Sequence, residues 1–277
     1  MYPVLFEVDG VPVGSHDVFV LLGVVVAASW FLVECRRRGI AGDERLLWIV
    51  GGALVGAGLF ARLSTLVRYV RHAADPSVAG LLLYGGKSLL GGLAGAYVGV
   101  VVTKRFVGYR SHTGDLFAPA VTSGLAVGRI GCLLSEQVGT PTSLPWGISV
   151  SPEAAARIPG CSHACRAGTP MHPSFLYEIV FLLALFAVLL WLRPRVAVVP
   201  DDLFKIFLVA YGTGRFLLEF VRGNEVFAWG LTGSQIFLLL TLPVGYVYFA
   251  RHLARRPYRR PASEPGDRLT TPEPLEG

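Results

Sequence analysis

Seven apolar runs, each close to the roughly 17–25 residues a helix needs to cross a bilayer, dominate this sequence and exclude most other folds. They lie at about 18–34, 46–67, 79–102, 114–135, 174–192, 202–222 and 231–250. In hydrocarbon every backbone N–H and C=O must be satisfied within its own segment, so runs of this kind become helices. Composition agrees: 53% of the 277 residues are hydrophobic and 16% are charged, with a mean hydropathy of +0.55, outside the range of soluble domains. The expected fold is an all-α integral membrane protein of about seven transmembrane helices.

Basic residues in the short connectors set the expected orientation. Arg36, Arg37 and Arg38 follow the first run, Lys104, Arg105 and Arg110 the third, and Arg193 and Arg195 the fifth. Arg251, Arg255, Arg256, Arg259 and Arg260 follow the seventh. Seven spans put all four groups on one side, giving an outside N-terminus and a cytoplasmic C-terminus, with Arg68 and Arg71 as a local exception. The first run is preceded by Glu7, Asp9 and Asp17 rather than by basic residues, so it is expected to be retained as a span and not cleaved as a signal peptide. The formal net charge of +6 sits at span ends and reads as topology and anionic-lipid contact rather than nucleic-acid binding.

The chain divides into a transmembrane domain at 1–258 and a polar, proline-rich tail at 259–277 that is expected to be disordered. One long outside loop, 137–172, carries Trp146 and the group Cys161, His163, Cys165 and His172. Thiolate and imidazole are zinc ligands, but this spacing matches no strong zinc motif, and a disulfide or free thiols are the preferred reading. Glycines at 51, 52, 56 and 58 and at 85, 86, 91, 92, 95 and 99 read as small faces for close helix packing. No internal repeat of the kind found in many transporters is visible.

Charges at membrane depth are costly and face a cavity or a partner. Arg129, in the stretch GRIG, lies deep in the fourth run, whereas Arg62 in FARL is near the outer end of the second, where snorkelling competes with a binding role. In the sixth run, Arg215 and Glu219 are spaced i,i+4 and Glu219 and Arg222 i,i+3, one polar stripe with two positive charges against one negative. HPSFLYE opens the fifth run, with Pro173 suited to a first helical turn and Glu178 one turn further in. Arginines from runs two, four and six would form a positive pocket in the outer half of the membrane. Planar guanidinium groups bind phosphate through paired hydrogen bonds, so a phospholipid phosphate is the natural occupant.

With GRIG, HPSFLYE and GRFLLEFVRG read together, the chain resembles the bacterial prolipoprotein diacylglyceryl transferase family. The likeness runs from about residue 10 to 250 and includes FARL and GGKSLLGG, in matching order. It implies a seven-span bacterial inner-membrane enzyme that moves the diacylglyceryl group of phosphatidylglycerol onto the lipobox cysteine thiol of a prolipoprotein, releasing glycerol phosphate. Carried over by position, Arg129, Glu136 and Gly139 match the family signature, Tyr211, Arg215 and Glu219 its YxxxR…E helix, and His172 its HPxQLYE motif. The sequence also departs from the family pattern. Leu90 stands where the best-studied members have histidine, Cys132 where they have asparagine, and His16 where they have a first-span tyrosine, and the signature is one residue shorter before Glu136.

The implied reaction needs a base to take the acceptor thiol's proton and cations to stabilise charge gathering on the departing phosphate. Arg129 and Arg215 suit the second task, with Arg62, Glu219, Tyr211 and Gly139 completing the phosphatidylglycerol site and Glu136 assisting catalysis. Leu90 cannot serve as the base, which leaves His16 and His172 as alternatives. No cofactor and no metal is expected. Two other readings remain: a lapsed enzyme that keeps the phosphate pocket as a lipid- or lipoprotein-binding protein, and a transferase with a different acceptor.

Overall fold

A computed structural model of the protein describes residues 4–66, 69–70, 77–84, 88–135, 139–151, 168–196 and 199–255. Its helices are α1 Ser15–Arg37, α2 Arg45–Leu63, α3 Val78–Tyr84, α4 Leu89–Phe106, α5 Gly114–Ser135, α6 Ser174–Val196, α7 Asp202–Leu218 and α8 Gly233–Arg255. Three antiparallel strand pairs are described besides: β1 Val4–Val8 with β2 Val11–Gly14, β3 Ile148–Ser149 with β4 Pro170–Met171, and β5 Val226–Ala228 with β6 Leu231–Thr232. Among the described residues, six helices are long and apolar enough to cross a membrane. The remaining span, α7, has 17 residues and is prolonged by a single 3-10 turn, Glu219–Val221. The chain is a multi-pass, all-α membrane protein.

Six of the seven expected spans become single helices, with edges displaced by a few residues. The third is corrected: the run at 79–102 is not one helix but α3 followed by α4. Ser88 ends the connection by accepting a hydrogen bond from the Gly91 N–H at 3.2 Å, an N-cap that restarts the helix ten residues into the apolar run. The tail at 259–277, and Cys161, His163 and Cys165 with most of their loop, lie outside the described residues.

Apolar side chains face outward as well as inward, as a bilayer permits: Leu47, Val55, Leu240 and Val244 are each at least 70% exposed. Helix α1 packs antiparallel on α5, α2 on α4, and α7 on α8, while α6 lies between α5 and α7. Backbone contact explains several glycines. A Cβ on Gly23 would fall 2.5 Å from the Gly124 carbonyl oxygen, one on Gly56 2.2 Å from that of Gly95, and one on Gly99 2.0 Å from that of Gly52. The expected small faces of α2 and α4 are thus Gly52, Gly56, Gly91, Gly95 and Gly99, whereas Gly51 and Gly58 face open space. Gly99→Leu is expected to separate α2 from α4 and lower stability by roughly 1–3 kcal/mol, read as an earlier midpoint in detergent-induced unfolding. Gly58→Leu should leave that midpoint unchanged.

The apolar core lies between α5, α6 and α7, where Ala118, Ala126, Leu182, Leu185, Leu189, Leu203, Phe207 and Tyr211 are buried. Leu90, from the first turn of α4, packs against this cluster. It is an apolar packing residue at the position where a histidine was looked for.

Candidate active site

Five segments meet at one end of the bundle: the C-terminal turns of α5 and α7, the start of α6, the 3-10 turn, and the hairpin before α8. Glu178, one turn into α6 and fully buried, is the centre of the first of two carboxylate networks. Its Oε1 lies 3.0 Å from Arg129 Nε of α5 and accepts a hydrogen bond from the Tyr211 hydroxyl of α7 at 2.9 Å. Its Oε2 accepts from Arg222 Nη1 at 3.1 Å. Phe175, three residues before Glu178 and so on the same helix face, lies beneath both cations. The Arg222 guanidinium is 4.4 Å from its ring centroid and that of Arg129 5.8 Å.

Glu219 centres the second network. It pairs with Arg215 one helical turn earlier and accepts hydrogen bonds at Oε1 from Asn224 Nδ2 at 2.7 Å and from Thr232 Oγ1 at 3.0 Å. Thr232 is fixed in turn by Gln235, whose Oε1 accepts its N–H at 3.0 Å. Both carboxylates and Arg215 are buried, while the Arg129 and Arg222 side chains are only 11% and 12% exposed. Among the described residues, three guanidinium groups therefore face two carboxylates in a low-dielectric setting, leaving one positive charge in excess. The Ser174 hydroxyl, also buried and beside Phe175 in sequence, has no hydrogen-bond partner among the described residues.

The structure brings Arg129, Arg215, Tyr211 and Glu219 together as expected, but it corrects the polar stripe. Arg222 pairs with Glu178, not Glu219. The helical segment ends with the 3-10 turn Glu219–Val221, and Arg222 caps it, with its side chain reaching across to Glu178 of α6. Glu178 and Arg222 thus belong to the site, as do Asn224 and Thr232, which nothing in the sequence pattern singled out. Arg62 stands half-buried in the last turn of α2, which packs on α4, and the described bonds to Glu178 and Glu219 come from other residues. Glu136 lies outside the described residues.

Gly139 is hemmed in by backbone. Its N–H donates to the His172 carbonyl at 2.7 Å, while Thr140 N–H donates to the Val221 carbonyl at 2.9 Å. A Cβ on Gly139 would lie 2.1 Å from that Val221 oxygen. The glycine lets the loop backbone pass between the 3-10 turn and the strand before α6, so it holds the frame of the site. Gly139→Ala is expected to displace Val221, and Arg222 beside it, and to lower stability by roughly 1–3 kcal/mol. The check is a lowered thermal midpoint together with reduced activity.

The two histidines have separate surroundings. His172 Nδ1 is 3.2 Å from the Tyr177 hydroxyl, which also accepts from Trp146 Nε1 at 2.8 Å. His16, in the first turn of α1, has Nδ1 3.8 Å from Cys132 Sγ, and Cys132 is 3.4 Å from Arg129 Nη1. Only His16 is linked through a described contact to an arginine of the site. The contact spans 116 residues of sequence, so no local pattern could have exposed it.

A cluster of buried arginines and carboxylates at one end of an apolar helix bundle marks this chain as a multi-pass membrane protein with a polar site inside it. The family model for prolipoprotein diacylglyceryl transferases matches residues 3–251, and the chain belongs to that family. A phosphatidylglycerol–prolipoprotein diacylglyceryl transferase of Cereibacter sphaeroides is 34% identical over 237 residues, covering 77% of this chain and 77% of its own length. One from Leifsonia xyli is 32% identical over 226 residues, 75% of this chain, and the match spans 64% of that relative. One from Dehalococcoides mccartyi is 27% identical over 256 residues, 89% of this chain and 92% of its own length.

Proposed function

We propose that this protein transfers the diacylglyceryl group of phosphatidylglycerol to the lipobox cysteine thiol of prolipoproteins in the bacterial inner membrane, with the arginine cluster at the outer face. The observation that carries the reading is the single excess positive charge buried among Arg129, Arg215, Arg222, Glu178 and Glu219. A phosphodiester headgroup brings one negative charge and neutralises it. In the reaction the acceptor sulfur forms a bond to the terminal glyceryl carbon, the carbon–oxygen bond to phosphate breaks, and glycerol phosphate leaves with the electron pair and a second developing charge. Guanidinium donors already held in place stabilise that charge without reorganising. Phe175, stacked under two of them, limits how far they can turn.

The same site needs a base for the thiol proton, and His16 is the better placed of the two candidates because Cys132 connects it to Arg129. A base must be unprotonated to work, so activity should fall as the pH is lowered. His16→Gln is expected to lower kcat by about a hundredfold and to remove that acidic limb. His172→Gln should retain the limb, because it disturbs only the Tyr177 and Trp146 contacts. Family membership and the basic connectors at the opposite end support the outward orientation.

The direct test is complementation in cells depleted of their own transferase, reading diacylglyceryl modification of a reporter prolipoprotein. A modified reporter is the expected result. A correctly inserted protein that leaves the reporter unmodified would overturn the assignment.

A further inference from the structure

The far end of the bundle holds another buried carboxylate that the transfer reaction does not use. Glu34, in the last turn of α1, is fully buried. Its Oε1 accepts from Arg37 Nη2 at 2.6 Å and from Arg38 Nε at 2.9 Å, and its Oε2 lies 3.0 Å from Arg193 Nη1 of α6 and accepts from Arg37 Nε at 3.2 Å. Three cations surround one anion. Arg193 alone would neutralise Glu34 and join α1 to α6; Arg38 also faces the carboxylate of Asp115 electrostatically, so the cluster keeps at least one positive charge in excess.

We propose that Arg37, Arg38 and Arg193 form a second lipid site, which takes the phosphate headgroup of an anionic phospholipid in the leaflet opposite the candidate active site. The Arg37 and Arg38 side chains are 50% and 31% exposed, so their outer edges remain open to a headgroup while their inner edges hold Glu34. Towards the bilayer centre the same two helices carry an apolar seam: Trp30 of α1 meets Phe186 of α6 edge-on, with centroids 5.2 Å apart, and Val33 and Trp191 are more than half-exposed or close to it beside the cluster. A phosphate between the guanidinium forks thus places its acyl chains along this seam. That pairing of a basic rim with an apolar wall is what an anionic lipid requires and a free phosphate does not. The assignment stands independently of the transferase reading.

The test is native mass spectrometry of the purified full chain in detergent, titrated separately with phosphatidic acid, phosphatidylcholine and inorganic phosphate. Phosphatidic acid should bind more tightly than either of the others. Arg37→Gln combined with Arg38→Gln should weaken it on the order of tenfold. Arg105→Gln combined with Arg110→Gln removes the same charge from exposed positions at the same end and should leave binding unchanged. Glu34→Gln, which adds to the surplus, should tighten it. An equal loss in both double variants, or none in either, overturns the site, and inorganic phosphate binding as tightly as the lipid overturns the lipid assignment. A transfer-dead Arg129→Ala protein that still shows the Arg37/Arg38-dependent adduct separates the two sites.

Discussion

Arg129→Ala is expected to lower transfer by about a thousandfold while the chain still inserts in the membrane. The guanidinium holds Glu178 through Nε and contacts Cys132 through Nη1, and its remaining donors can meet a phosphate. Loss of one preorganised donor costs about 10²–10³ in rate, and here the surplus positive charge disappears with it. Arg129→Lys is the informative companion. It restores charge but not a planar fork, so only part of the activity should return. Full recovery with lysine would show that the charge alone matters and would overturn the paired-hydrogen-bond reading. The measurement is the initial rate of diacylglyceryl incorporation into a synthetic lipobox peptide, normalised to inserted protein.

The largest effect on stability is expected at Glu178. Glu178→Gln is nearly isosteric but leaves Arg129 and Arg222 buried without the carboxylate that serves both. Breaking a buried pair by removing one partner costs roughly 3–5 kcal/mol, and two arginines share this partner, so the upper end applies. The check is the unfolding midpoint in mixed micelles. A double variant, Glu178→Gln with Arg222→Gln, removes one charge of each sign and should recover part of the loss. Two independent costs that simply add would contradict the shared-carboxylate arrangement.

Much of this molecule is visible in its sequence because a bilayer permits few solutions. Apolar length alone placed six of the spans, and the third misled because periodicity carries no sign of a cap such as Ser88. Within the site, Arg215 and Glu219 were legible because one helical turn separates them. Arg129 stood out as a charge with no short route to an interface. The hub was harder to recognise: the partners of Glu178 come from α5, α7 and the residue that caps the 3-10 turn, which only tertiary packing assembles. Arg222 was assigned to the wrong carboxylate because helical spacing counts only partners on its own segment, whereas Glu178 reaches it from α6.

The hairpin between α7 and α8 gives this family member an inherited constraint. Asn224 and Thr232 lie on a short connector, the kind of segment that usually tolerates exchange between homologues, yet both hold Glu219 in place. A chimera that imports this connector from a relative also imports a setting for Arg215. Drift in an outwardly ordinary turn is therefore coupled to drift in the site, and exchanges here should succeed only when the donor supplies side chains able to grip the same carboxylate.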